Sequence, residues 1–200
     1  MTLHPLLAGR WSARGYDPAA EIAPEQLEAI LEAGRWAPTG GGVQPVRYLV
    51  GLRGDATFTG IVDGLKRGNQ SWTPAAAALV VLCTTDQPDE PKMHDYGAVD
   101  VGLAAGQMII QAQAEGWNAH PIGGFRTELL TERFNIPAGT RPLLTLAIGR
   151  IADALTVDPD IAERDRRPRT RLPLAEVTYA DTWGTPLGSG GTFGLPEVAE

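Results

Sequence analysis

Three side chains near the start of the chain are of the types that together grip an anion. Arg10, Ser12 and Arg14 put two guanidinium groups and a hydroxyl into the stretch Arg10-Trp11-Ser12-Ala13-Arg14-Gly15-Tyr16. A guanidinium presents a planar fork of donors that matches phosphate geometry, and a serine hydroxyl adds a short neutral donor. In an extended segment the three point to one face, and in a helical turn Arg10 and Arg14 lie one above the other. On these residues alone, a solvated basic segment fits equally well. A second basic run, Arg164, Arg166, Arg167, Arg169 and Arg171, lies late in a chain whose formal net charge is -7. Local positive charge in an acidic protein suits a small anionic ligand, whereas a nucleic-acid binder would show a basic excess.

Other chemistry-bearing positions are glycines. Gly40-Gly41-Gly42 follows Ala37-Pro38-Thr39, and Gly123-Gly124 follows Pro121-Ile122. Such backbone approaches a ligand closely and exposes its amides. No Gly-Lys-Ser/Thr follows at P-loop spacing, and no Gly-X-Gly-X-X-Gly dinucleotide fingerprint is present. With 3 histidines and 1 cysteine, a zinc site is not expected. Cys83 ends the apolar run from Ala75 and reads as a small buried hydrophobe. A lone cysteine, no signal-peptide pattern and no bilayer-length apolar run lead us to expect a cytoplasmic protein without membrane or nucleic-acid partners.

These positions need elements to hold them. Pro24-Glu25 opens a helix carried by Leu27, Ile30, Leu31 and Gly34, and the glycine run stops it. Arg47–Leu52 reads as a strand, Ile61–Gly68 as a short helix, and the run ending at Cys83 as a buried strand. Thr84–Lys92 reads as a loop, and Tyr96–Gln113 as a long helix with little polar surface, expected to be buried on most sides. Its small residues, Gly102, Ala105 and Gly106, suit close helix approach in the core or at a subunit interface. Ala119-His120-Pro121-Ile122 is expected to enter a tight turn at Gly123-Gly124-Phe125, followed by a helix from Arg126 to Phe134 and a strand from Pro142 to Gly149. Alternating strands and helices indicate an α/β or α+β sheet covered by helices.

Placed in order, four blocks resemble the FMN-dependent nitroreductase family over roughly residues 8–183. Arg10-Trp11-Ser12-Ala13-Arg14-Gly15-Tyr16 is similar to the family's Arg-X-Ser-X-Arg/Lys-X-aromatic block, which holds the FMN phosphate and ribityl chain. Ala37-Pro38-Thr39-Gly40-Gly41-Gly42-Val43-Gln44-Pro45 resembles Ala-Pro-Ser-Ser-X-Asn-X-Gln-Pro, which reaches the flavin held mainly by the partner subunit. Pro121-Ile122-Gly123-Gly124-Phe125 resembles Pro-X-Glu/Gly-Gly-Phe, whose amides face flavin N5. Arg167-Pro168-Arg169-Thr170-Arg171-Leu172-Pro173-Leu174 resembles the C-terminal basic block, which returns to the phosphate.

The resemblance implies an α+β fold, with a central, mainly antiparallel sheet packed by helices, in an intertwined homodimer with FMN at the subunit interface. It implies one FMN-binding domain over 1–183 and a flexible or partner-embracing tail over 184–200. The implied cofactor contacts are Arg10, Trp11, Ser12, Arg14, Pro38, Thr39, Gly40, Gly42, Pro121, Ile122, Gly123, Gly124, Arg169 and Arg171. No catalytic side chain is implied, because flavin N5 carries the chemistry. The implied reaction is ping-pong hydride transfer from NADH or NADPH, acting as a transient donor, to a nitro compound, quinone or similar small acceptor. Two positions depart from the family pattern: Gly42 stands where Asn is usual, and Gly123 where many members carry Glu. They keep open a flavin-dependent oxidase or dehydrogenase of a peptide-like or other small substrate, and a non-catalytic flavin-binding relative.

Overall fold

The computed structural model describes residues 3–86 and 93–187, with backbone alone for 93–95. These residues fall into two compact units that divide between Asp165 and Arg166. The expected tail, from Gly184, lies mostly outside the described residues, as does the greater part of the expected Thr84–Lys92 loop.

The first unit is built on a four-stranded sheet of order β1-β2-β4-β3. β1 (Val46–Leu52), β2 (Ala78–Thr85), β3 (Asn118–Ile122) and β4 (Thr140–Gly149) pair antiparallel throughout. This settles the open choice of sheet type in favour of α+β. β2 is central, and its apolar run is buried on both faces without polar alternation, as expected of a strand covered by helices on each side.

The two faces of β2 feed two separate cores. Ala78, Val80 and Leu82 pack with α2 (Pro24–Arg35) and α5 (Met93–Ala114), whose Leu27, Ile30, Val101, Ala104 and Met108 join the same cluster. Leu79, Val81 and Cys83 face the other way, against Phe58 and Ile61 of α3 (Ala56–Gly64) and Leu130 of α6 (Thr127–Arg133). Each of the four branched residues from Leu79 to Leu82 is fully buried, which stabilises the fold by roughly 1.5–3 kcal/mol apiece. Burial holds the Cys83 thiol up at about 11, so it is an inert core residue as expected.

Three expectations change. The helix expected over Ile61–Gly68 is two: α3 ends at Gly64, and α4 (Arg67–Gln70) begins after Lys66. Leu65 leaves the helical path to bridge Phe125, with Lys66 N–H donating to Gly124 O at 2.9 Å and Arg126 N–H to Gly64 O at 2.8 Å. Residues 119–122, read as the lead into a turn, lie in the edge strand β3, and the expected turn at residues 123–125 does not form, since Phe125 bridges Leu65; Pro121, which lacks an N–H, is tolerated at such an edge. The long helix is not buried on most sides, for Tyr96, Val99 and Leu103 are 51%, 55% and 42% exposed. Two short helices complete the first unit's outline: α1 (Pro5–Gly9) and α7 (Pro159–Arg166), the latter running across the division between units.

Candidate functional site

The basic stretch is neither helix nor strand from Arg10 to Gly15. Ala13 is fully buried in the α3/α6 core with Trp11 packed against the same cluster, while Arg10, Ser12 and Arg14 remain partly exposed. No helix forms between Arg10 and Gly15, so the helical alternative does not hold. The stretch has no neighbouring strand to pair with until Tyr16 meets Ile151. Side chains take its backbone groups instead. Asn118 Nδ2–H donates to Trp11 O at 2.8 Å, and the His120 ring bonds Ala13 O at 2.7 Å through Nδ1. A carbonyl can only accept, so Nδ1 carries the proton. From α7, Asp165 Oδ2 accepts from the amides of Arg14 and Gly15, both at 2.8 Å, and Arg164 donates to Ser12 O at 3.1 Å.

Beneath the stretch lies an aromatic floor. Trp72 stacks on His120 with centroids 4.6 Å apart, meets Tyr16 edge-on at 6.0 Å, and carries the Arg14 guanidinium 5.7 Å above its ring. Burial is the main cause that pushes the His120 ring down to about 4, with a smaller push from Arg164 and Arg14. It is therefore a neutral, structural imidazole near neutral pH. Arg14 is lowered from its ordinary value by desolvation and then by Arg164, partly offset by Asp165. Its Nε is buried with no hydrogen-bond partner among the described residues. An arginine donor left unused in a partly desolvated place fits an absent anion, and phosphate matches its fork.

β3 links this stretch to the paired glycines. Asn118, His120 and Ile122 share the strand face toward the basic stretch, and Gly123 and Gly124 follow at once. The Gly124 carbonyl is held by Lys66 N–H and by Asn69 Nδ2–H at 3.1 Å. No loop hydrogen bond among the described residues uses the amide of Gly123 or Gly124. A Cβ at Gly123 would meet nothing within 4 Å, whereas one at Gly124 would lie 2.7 Å from Asn69 Nδ2, so the open space is at Gly123. This donor set suits a flat heteroaromatic ring with an acceptor atom. Lys66 and Asn69 were not singled out from sequence; the only signal was a polar run, Lys66 to Gln70, between two apolar segments.

The triple glycine lies elsewhere. Thr39 precedes a 3-10 turn, Gly40–Gly42, pinned by the buried Asp100 of α5, whose Oδ1 accepts from Gly40 N–H at 3.2 Å. Gly41 and Gly42 have φ of 58° and 73°, the left-handed region. Asn is the residue other than Gly that visits this region most readily, so the two alternatives at position 42 meet one backbone requirement. Ala37, at the head of this loop, belongs to the α2/α5 core, on the opposite sheet face from Ala13 and Ile122. The structure thus brings the first and third blocks together and sets the second apart.

Arg169 and Arg171 lie in the second unit, in an exposed irregular stretch before a 3-10 turn at Leu174–Glu176. Tyr179 bridges Pro186 there and packs on Trp183 at 4.9 Å. Among the described residues no cluster of His, Cys, Asp or Glu could hold a metal ion, and no helix is long and apolar enough to cross a membrane.

Comparison with known proteins agrees with this geometry. A 15.4 kDa uncharacterized protein of Mycolicibacterium smegmatis is 43% identical, over 71% of this chain and 100% of its own length. Bacillus subtilis YdgI, named as a candidate NAD(P)H nitroreductase, is 27% identical over 74% of this chain and 88% of its own. A crystal structure described as an oxidoreductase containing FMN superposes with a TM-score of 0.81 at 29% identity, covering 92% of this chain and 94% of that one. The model of the nitroreductase family matches residues 7–150, and the chain belongs to that family.

Proposed function

We propose that the protein is an FMN-dependent NAD(P)H oxidoreductase that passes reducing equivalents to a nitro compound, quinone or similar small acceptor. The observation that carries this reading is the joining, through β3, of an anion grip with an unfilled donor to a glycine pair whose amides no loop hydrogen bond uses, with open space at Gly123. FMN has one end of each kind, a phosphate and a flat ring. The family membership, the FMN in a 29% identical structure and the name of YdgI support the same cofactor and donor.

When bound, FMN supplies hydride acceptance and donation at N5. The chain's own part is to bind and orient. Arg10, Ser12 and Arg14 take the phosphate end, and Trp11 lies beside them. Pro121, Ile122, Gly123 and Gly124 carry the ring edge, where backbone amides tune electron acceptance without an acid or base side chain. No protein nucleophile is required.

Pro38, Thr39, Gly40 and Gly42 complete the site only from a second copy. Their loop heads the opposite sheet face from the phosphate and ring segments, so a flavin touched by both sets draws them from two protomers. The exposed apolar face of α5 supports a homodimer: Tyr96, Val99 and Leu103 project there, and added Cβ atoms at Gly102 and Gly106 would meet nothing. A single buried cysteine supports a reducing, cytoplasmic setting.

The absence of side chains at Gly42 and Gly123 favours a second reading, flavin-dependent oxidation of a peptide-like or other small substrate in a roomier pocket. One absorbance experiment separates the two. Protein loaded with FMN is treated anaerobically with NADH or NADPH and then with a nitroarene or quinone. The reductase reading expects the flavin band to bleach and then return. Bound flavin that ignores both nucleotides would sink it and leave the oxidation reading.

A further inference from the structure

The stretch that carries the anion grip is not held as strands are held. From Trp11 to Gly15, the carbonyls of Trp11, Ser12 and Ala13 and the amides of Arg14 and Gly15 are each bonded to a side chain distant in sequence. Only Gly15 O accepts from a backbone amide, that of Ala152, at 3.0 Å. Two of the side chains, Asn118 and His120, are buried at 2% and 7% exposure and stand two residues apart on the edge strand, matching the two-residue spacing of the carbonyls they take. Asn118 is itself fixed, because Tyr16 O–H donates to its Oδ1 at 2.9 Å and thereby sets which end of the amide faces Trp11. Asp165 is fixed likewise: its second oxygen accepts from Arg164 at 2.7 Å.

We propose that Asn118, His120 and Asp165 are positioning residues, a side-chain clamp that holds Trp11–Gly15 extended so that Arg10, Ser12 and Arg14 present one phosphate grip. The inference rests on the FMN reading above. Its physical basis is preorganisation. Three grip residues on a loose segment would have to be ordered when the ligand binds, whereas a clamped segment is already ordered. Buried polar groups also make the clamp specific, because each carbonyl or amide it leaves unpaired is costly to bury. Its contribution falls on the phosphate end of the ligand, not on the ring.

That selectivity supplies the test. Riboflavin keeps the ring and ribityl chain of FMN but lacks the phosphate, so the ratio of the two dissociation constants isolates the grip. The variants are Asp165→Ala, Asp165→Asn, which keeps an oxygen for both amides, and Asn118→Leu, which removes the donor to Trp11 O at similar volume. Affinities are read by quenching of flavin fluorescence in the full chain. We expect wild type to prefer FMN, and Asp165→Ala and Asn118→Leu to weaken FMN by about tenfold or more while changing riboflavin by less than about twofold. Asp165→Asn is expected to retain most of the FMN preference. Equal losses for both flavins would show a merely structural role and overturn the inference. So would an unchanged ratio in Asp165→Ala, which sits on a partly exposed surface and does not depend on Asn118→Leu folding. Wild type that binds both flavins equally has no phosphate grip to position, which also overturns it. Wild type that binds neither defeats the FMN reading and this inference together.

Discussion

At the scale of single residues, positions 42 and 120 make the sharpest statements. Gly42 sits at φ 73° with open space around an added Cβ, so Gly42→Asn meets no clash, and Asn bears this left-handed backbone with less strain than other side chains. We expect its stability to stay within about 0.5 kcal/mol of wild type. If the side chain reaches a bound flavin, FMN affinity should tighten about three- to tenfold, read by fluorescence titration. His120 controls a pH window. Its ordinary value near 6.5 falls to about 4 in the folded protein, so the unfolded chain binds the extra proton between those limits. Stability from this group is therefore full above about pH 6.5, declines as pH falls, and is exhausted below about 4. The loss is at most about 3 kcal/mol. Urea unfolding of wild type and His120→Gln across this window should show a steeper decline for wild type; parallel curves would refute the shift.

At the scale of elements, the fit of α2 against α5 and β1 depends on Gly34. A Cβ there would lie 2.5 Å from the Tyr48 hydroxyl and 2.7 Å from Met108 Cγ. Gly34→Ala should cost about 1–3 kcal/mol by overpacking, despite the better helix propensity of alanine. A lowered urea midpoint with an unchanged slope is the expected result; a stabilised variant would mean that the helices separate easily. Since this contact lies just ahead of the Thr39–Gly42 loop, a variant that folds but binds FMN poorly would also report on how α2 aims that loop.

For the whole molecule, the question is assembly. The α5 face that Tyr96, Val99 and Leu103 leave exposed is apolar, and beside it runs a groove of 570 Å³ lined by Ala33, Pro38, Gly106 and Ile110 among others. Leu103→Arg places a charge where a protomer would pack, without touching the core. In light scattering after size exclusion, wild type should run as a dimer and Leu103→Arg as a monomer. Flavin binding should fall with the dimer, since the loop at Pro38–Gly42 then has no partner to serve. A wild-type monomer that binds FMN tightly would contradict the two-protomer site.

Amino-acid order alone determined most of the elements, though not the strand β3 or the break at Leu65. The breaker at Pro38–Gly42 and the unbroken apolar run of β2 both follow from residue type and spacing. The motif order was also legible, because each block's residues are adjacent in sequence. What tertiary structure alone decided was who holds those blocks. Nothing near Trp11 in sequence announces that Asn118 or Asp165, more than a hundred residues away, takes its backbone groups. The strand at His120–Ile122 was hidden because its hydrogen bonds come from β4, and the break at Leu65 because its bridge is to Phe125. Backbone groups must be paired, but a sequence does not name their distant partners; only the folded chain does.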